Sequence, residues 1–220
     1  MKWLLKWLLR LFLLGVVLVV VLLLSRNSIL RAVVEHNVRA QTGMDAEIGR
    51  FSCGLVSPTI EIQNLRIYNP PDFGGTLFLD IPEIHVEYDR AALARHELHV
   101  TLVRFNLAEV DIVKNEAGQT NILSLGVPLP QKNRQPGSVV ETLKKRVGLE
   151  FTSIDVLNAS IGTVKFIDLK DPRNDHSQKI DIQDLPIRNV KSVNDLAGLA
   201  VLVVLRGGNF FGSLFALPGR

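Results

Sequence analysis

The sequence is poor in the residues that most site chemistry needs. Cys53 is the single cysteine among 220 residues, which excludes an intramolecular disulfide framework and any multi-cysteine zinc or iron–sulfur site. Aromatic residues make up 6% while hydrophobic residues reach 47%, so the apolar content is aliphatic. No GxSxG, P-loop or GxGxxG motif occurs. Positive charge is also scarce where it would matter. The formal net charge is +3 and the pI about 9.1, yet Lys2, Lys6, Arg10 and Arg26 stand in the first 26 residues without an acid. The remaining 194 residues hold 21 bases against 22 acids. A body with no basic excess offers no broad nucleic-acid face, because neutralising phosphates takes clustered Lys and Arg.

What is present begins with a long apolar run. Leu11 to Leu24 is uninterrupted, and extension back to Trp7 gives 18 residues broken only by Arg10. That length reaches the range needed to cross a bilayer, about 17–25 residues. Arg10 lies near one end, where its stem can snorkel to the headgroups, and Trp3 and Trp7 suit the interfacial belt. The bases preceding the run place residue 1 in the cytoplasm. The competing assignment is a cleaved signal peptide. SRNSILRA, with Arg26 and Arg31, lacks a small-x-small cleavage site, which favours an uncleaved anchor over 1–26. Either assignment exports the body, with the anchored one giving a single-pass inner-membrane protein whose body is periplasmic.

Residues 27–43 read as a short amphipathic helix. Ile29, Leu30, Val33, Val34 and Val38 follow three- and four-residue steps, Asn27 or Ser28 can cap the start, and Gly43 supplies the stop. From 44 to 193 short β-like runs alternate with turn residues such as Asn69-Pro70-Pro71, Gly74-Gly75 and Asp171-Pro172. The polar, proline-rich stretch 126–138 reads as a long loop, and Ser138–Val147 as a short helix. Residues 194–220 form an apolar C-terminal helix and tail. That helix is capped by Asn194 or Asp195 and stopped by Gly207-Gly208, and it is too short to cross a bilayer. Its expected role is to cover an apolar sheet face. The alternative is docking at an interface or partner, helped by Phe210, Phe211, Leu214 and Phe215.

The most informative pattern in the body is an octad: apolar, x, apolar, x, x, apolar, x, apolar. It occurs at 60–67 (Ile60, Ile62, Leu65, Ile67), 79–86 (Leu79, Ile81, Ile84, Val86) and 100–107 (Val100, Leu102, Phe105, Leu107). It recurs at 149–156 (Leu149, Phe151, Ile154, Val156) and 180–187 (Ile180, Ile182, Leu185, Ile187). In a strand, alternate side chains share a face, so a two-residue gap flips the second pair unless a bulge restores it. The octads therefore predict a mainly β, α+β fold. Its core is a twisted, largely antiparallel sheet of bulged strands with one apolar face built from these residues.

Residues that superficially suggest catalysis or metal binding do not form a constellation. His96-Glu97-Leu98-His99 places its histidines three apart in a β-like segment, not four apart on a helix as HExxH requires. His36 has no second ligand in register, and Asp168, Asp171 and Asp175 lack the EF-hand alternation, so a solvated turn is expected there. No catalytic residue, metal or cofactor is assigned, and the protein is expected not to be an enzyme. A hydrolase acting on envelope substrates, with His96 or Asp168 essential, ranks last.

Several segments together resemble the amino-terminal region of AsmA-like proteins of the Gram-negative envelope. These are the N-terminal apolar helix, Thr42-Gly43, the segment SPTIEIQNLRIYNPPDFGG at 57–75, IPEIHVEYD, and VDIVKNEAGQTNILSL at 110–125. The resemblance covers residues 1–125 well and the rest loosely. It implies kinship with TamB and, more distantly, with chorein-type bridge-like lipid transfer proteins. It further implies a groove-shaped sheet facing lipid acyl chains, and a role in phospholipid transport and outer-membrane biogenesis. The partners implied are membrane phospholipids, with envelope proteins as further partners and no nucleic acid. A sheet of this few strands, at ~4.8 Å spacing, is too small for one copy to bridge an envelope. The alternative is a non-catalytic envelope scaffold that binds proteins through its edge strands.

Overall fold

A computed structural model describes residues 31–33, 35, 36, 38–40, 43–54, 57–124 and 148–207. Six strands run in sequence order across one mixed sheet: β1 (Asp45–Cys53), β2 (Thr59–Tyr68), β3 (Leu77–Tyr88), β4 (Glu97–Lys114), β5 (Glu150–Asp168) and β6 (His176–Val190). Helix α1 is helical at residues 31–33, 35, 36 and 38–40. It stops where Gly43, at φ +69°, donates its N–H to the Arg39 carbonyl at 2.9 Å, a left-handed turn that glycine makes without steric cost. Further helices are α2 (Arg90–Ala94), α3 (Asn121–Ser124) and α4 (Ala197–Gly207).

The expected largely antiparallel pairing describes four of the five strand pairs. β4 and β5 run parallel. A parallel pair cannot be closed by a hairpin and needs a long crossover, and residues 115–149 supply it. The loop expected at 126–138 and the helix expected at 138–147 fall within that crossover and lie outside the described residues, as does the anchor expected at 1–26. No helix among the described residues is long and apolar enough to cross a membrane.

Strand pairing breaks along one line across the sheet. Asn64 is skipped between the pairs Ile48↔Leu65 and Arg50↔Gln63, and again between Gln63↔Glu83 and Leu65↔Ile81. Ile81 and Pro82 are unpaired with β4, and Ala108↔Gly162 is missing from the β4–β5 ladder. On β6, extra residues appear around Asp181 and Asp184. Asn64, Asp181 and Asp184 all have positive φ, which short polar side chains tolerate better than most. Pro82 sits mid-strand where its missing N–H leaves no ladder bond unmade. Gly162 is demanded by space, since a Cβ there would lie 2.4 Å from the Ala108 carbonyl oxygen.

Both outer edges of the sheet are covered by helices. On the β1 side the Glu35 carboxylate of α1 accepts the Ile48 N–H at 2.9 Å, and Arg31 binds Glu35 at 2.9 Å while reaching the Gly49 carbonyl. On the β6 side Arg206 of α4 donates to the Ile180 and Asp181 carbonyls, and Gln178 donates to the Arg206 carbonyl. Uncovered edge groups would template pairing with another chain.

Candidate functional site: the apolar sheet face

Cross-strand neighbours place their side chains on one face, so the register sorts the octads. One row runs Ile60, Val86, Val103, Leu157, Ile187, and another Ile62, Ile84, Phe105, Ala159, Leu185. Leu107, Ile161 and Ile182 follow, and beyond the break come Leu65 with Ile81, then Ile67, Leu79, Val110 and Val164. The two halves belong to one face. Leu185 and Ile161, from before the break, pack in the same cluster as Val110, Ile112, Val164, Ile180 and Ile182. Leu149 lies before β5 begins, and fourteen of the other nineteen octad residues therefore share a surface.

Val100, Leu102, Phe151, Ile154 and Val156 do not, and the expectation of a single face is corrected for them. Leu102 and Val156 fall in the row of Glu87 and Arg188, and Val100 and Ile154 in the row of Tyr88 and Val190. β4 is paired without interruption from Leu102 to Phe105, so strict alternation sends Leu102 and Phe105 to opposite sides. The octad at 100–107 is a coincidence of a strand that is apolar on both faces. β5 does carry a bulge at Thr152, opposite Leu98–His99. That bulge aligns Phe151 with Ile154, both on the second face. There Ala92 of α2 and Val100 are buried together at the α2–β4 contact.

The shared face is half-buried through its centre and closed where Ile81 and Ile48 are buried and where α3 and α4 pack on it. Ile81, Ile180 and Ile182 are buried, and the other eleven residues are intermediate. Leu199, Leu202 and Val203 of α4 pack on Ile112, Val164, Ile180 and Ile182. The expected covering role of the C-terminal helix is what the described residues display. Its cap differs from expectation: the Asp195 carboxylate accepts the Lys191 and Ser192 N–H groups, at 2.8 Å each, in the turn preceding the helix. Those two bonds hold its pKa below the ordinary aspartate value.

The opposite face is mainly polar. Glu61, His85, Arg104 and Asn158 form one row. Glu109, Asp111 and Lys165 cluster near the strand ends, with Lys165 Nζ 2.6 Å from Glu109. Asp111 is buried and its Oδ1 has no partner. Burial, reinforced by the neighbouring Glu109 charge, pushes its pKa up to about 6. A cleft of about 460 Å³ at the β1–β2 end is lined by Arg39, Asp45, Glu47, Tyr68 and Asn69. Arg39 pairs with Asp45 and Tyr68 with Glu47.

His96 is not in a strand: it takes φ +63° in the turn before β4, and its carbonyl accepts the Glu150 N–H. His99 points into an acidic setting, with Nε2 2.9 Å from Asp155 and Nδ1 3.8 Å from Asp89. The Asp155 hydrogen bond, working against desolvation and aided by Asp89, raises its pKa. The expected solvated turn at Asp168 is also corrected. Asp168 is 4% exposed and accepts from the Lys170 and Asp171 N–H groups, Asn174 and Lys114. Desolvation would raise its pKa, and these donors outweigh it. An oxygen set filled by donors leaves no lone pairs for calcium. Among the described residues no group of three His, Cys, Asp or Glu is placed to hold a metal.

Comparison with known proteins returns nothing. No family model matches the chain, and neither curated proteins nor solved structures give a match.

Sequence reasoning missed Asn69 and Asn121, the residues that tie the site's scaffold together. Asn121 Nδ2 donates to Asn69 Oδ1 and to the Asp111 carbonyl, each at 2.8 Å, while its Oδ1 accepts the Val113 N–H. Asn69 donates to the Leu77 carbonyl. The segments at 64–75 and 113–122 thus meet at one hydrogen bond.

Proposed function

We infer that this is a membrane-anchored, AsmA-like envelope protein whose apolar sheet face takes up lipid acyl chains and supports phospholipid traffic, without catalysis. The observation that carries the reading is the shared face from Ile60 to Ile187, apolar in every strand and half-buried through its centre, with α3 and α4 packed on the cluster around Ile112, Val164, Ile180 and Ile182. A one-layer sheet with a continuous aliphatic face calls for an apolar occupant, since exposed contiguous patches mark interaction sites. The N-terminal apolar run and its basic flank support an inner-membrane location with the body in the periplasm. The resemblance at 57–75 and 110–125 supports the envelope role.

The test is photo-crosslinking of the full chain in cells, with a benzophenone side chain replacing Ile84 or Phe105. Phospholipid adducts at these positions, absent when the probe replaces Arg104 on the other face, are expected. Protein adducts in place of lipid would favour the scaffold alternative, in which partners bind through the sheet.

A further inference from the structure

A connection between parallel neighbours has to return along the whole length of the strands it joins. β4 ends beside α3, and β5 begins in register with Glu97, where the Glu150 N–H meets the His96 carbonyl. Residues 125–147, outside the described residues, therefore travel from the level of Ile112 back to that of Glu97, about 50 Å at ~3.3 Å per residue. As one helix they would reach only about 35 Å, so part of the segment is extended.

Two described features select the face it crosses. The first is hand. The Val113 N–H and the Asp111 carbonyl turn to Asn121, away from β5, while the Lys114 carbonyl accepts the Leu169 N–H on the β5 side. Under a right-handed crossover lie the side chains of residues whose own N–H and carbonyl point toward the next strand. Those residues are Ile112 and Lys114, on the apolar face. The second feature is α3, whose Ile122 already packs on Ile112, Val164, Ile180 and Ile182. The far end is defined too: Gly148 has φ +69° just before β5, the turn that commonly follows a helix. The sequence between suits both ends. Leu125, Val127 and Leu129 alternate with Gly126, Pro128 and Pro130, an extended pattern, and Val139, Val140, Leu143 and Val147 fall on one helical stripe. Lys144, Lys145 and Arg146 arrive at the end of the sheet where Asp89 and Asp155 surround His99, a complementary charge.

We propose that residues 125–147 dock along β5 on the apolar face as its intramolecular occupant, so that the part over β2–β4, Ile84 and Phe105 included, is what remains for acyl chains. This division of the face rests on the lipid reading, and the docking does not. The experiment uses the full chain with a benzophenone side chain replacing Leu157 or Ile161, followed by tryptic mapping of the monomer-sized product. Adducts to peptides 115–132 or 135–144, at least threefold above those from a probe replacing Asn158 on the other face, are expected. A probe replacing Leu129, which leaves every strand unaltered, should mark the β5 peptide 147–165 and tests the docking without touching the sheet. Phospholipid adducts at Leu157 and Ile161 in place of peptide overturn the docking and leave the lipid reading standing. Peptide adducts there, with no lipid captured at Ile84, uphold the docking and sink the lipid reading instead. Adducts to 125–147 from the Asn158 probe overturn the proposal in favour of the other face, and a dimer-sized product overturns it in favour of a second copy.

Discussion

At Asn121 one fully buried carboxamide serves a β4 N–H, a β4 carbonyl and the Asn69 side chain. Truncation leaves all three partners dry and unpaired, and each such group costs about 1–3 kcal/mol. Asn121→Ala should lower stability by about 3 kcal/mol, read from the urea unfolding midpoint, and Asn121→Asp should not rescue it because it loses both donors. Asp111 works in the opposite direction. Its folded pKa of about 6 stands above the usual carboxylate value, so the folded state binds more protons between about pH 4 and 6 and stability falls as pH rises through that window. Asp111→Asn should raise stability at pH 7.5 by on the order of 2 kcal/mol and flatten the slope below pH 6. His99 has the reverse chemistry. Its raised pKa makes the Asp155 pairing fully stabilising below the unfolded value near 6.5, and that contribution disappears as pH rises through the folded value. His99→Gln should therefore cost up to about 1 kcal/mol at pH 5.5 and less at pH 9, a difference visible in paired unfolding curves.

Individual strands show what sequence could and could not disclose. The octads in β2 and β6 revealed the break in pairing because Asn64 and Asp184 occupy the same octad position and are residue types that accept positive φ. β4 misled because Val100, Leu102, Val103 and Phe105 are apolar in both parities, and spacing alone does not tell a bulged strand from one buried on two faces. The parallel pairing of β4 and β5 was illegible because it depends on how residues 115–149 cross over, not on either strand's composition. The link between Asn69 and Asn121 spans 52 residues, beyond any local pattern. Where the break crosses β5, space demands Gly162. Gly162→Ala drives a Cβ into the Ala108 backbone and should destabilise the fold by about 2 kcal/mol or more. Gly49→Ala brings its Cβ to 2.9 Å from the Asn64 Cβ and 3.2 Å from the Gln63 carbonyl oxygen, a longer approach than the 2.4 Å at Gly162, and should cost less. Urea unfolding of the two variants in parallel checks the order.

For the whole molecule, the two edge covers decide whether the sheet stays solitary. Glu35 outside β1 and Arg206 outside β6 satisfy backbone groups that would otherwise recruit strands from neighbouring copies. Desolvation works against the Glu35 charge, but Arg31 and the Ile48 N–H outweigh it and hold its pKa below the ordinary glutamate value. The cover therefore weakens in acid, as pH falls through that lowered value. Glu35→Ala combined with Arg206→Ala should shift the protein from its native assembly to larger species by analytical ultracentrifugation, while either single change has a smaller effect.

The parallel seam between β4 and β5 has a consequence in time. β1 to β4 form a meander of neighbours and β5 with β6 a second antiparallel pair, so each unit closes through local contacts. The seam joins strands 54 residues apart in register, a pairing slow to nucleate because the loop must close before any bond rewards it. Until it forms, β4 waits with an open flank of 18 residues, and this is the moment at which the emerging chain most needs a holdase. Pulse-labelled hydrogen exchange during refolding should find the β2–β3 amides protected before those that bridge β4 to β5.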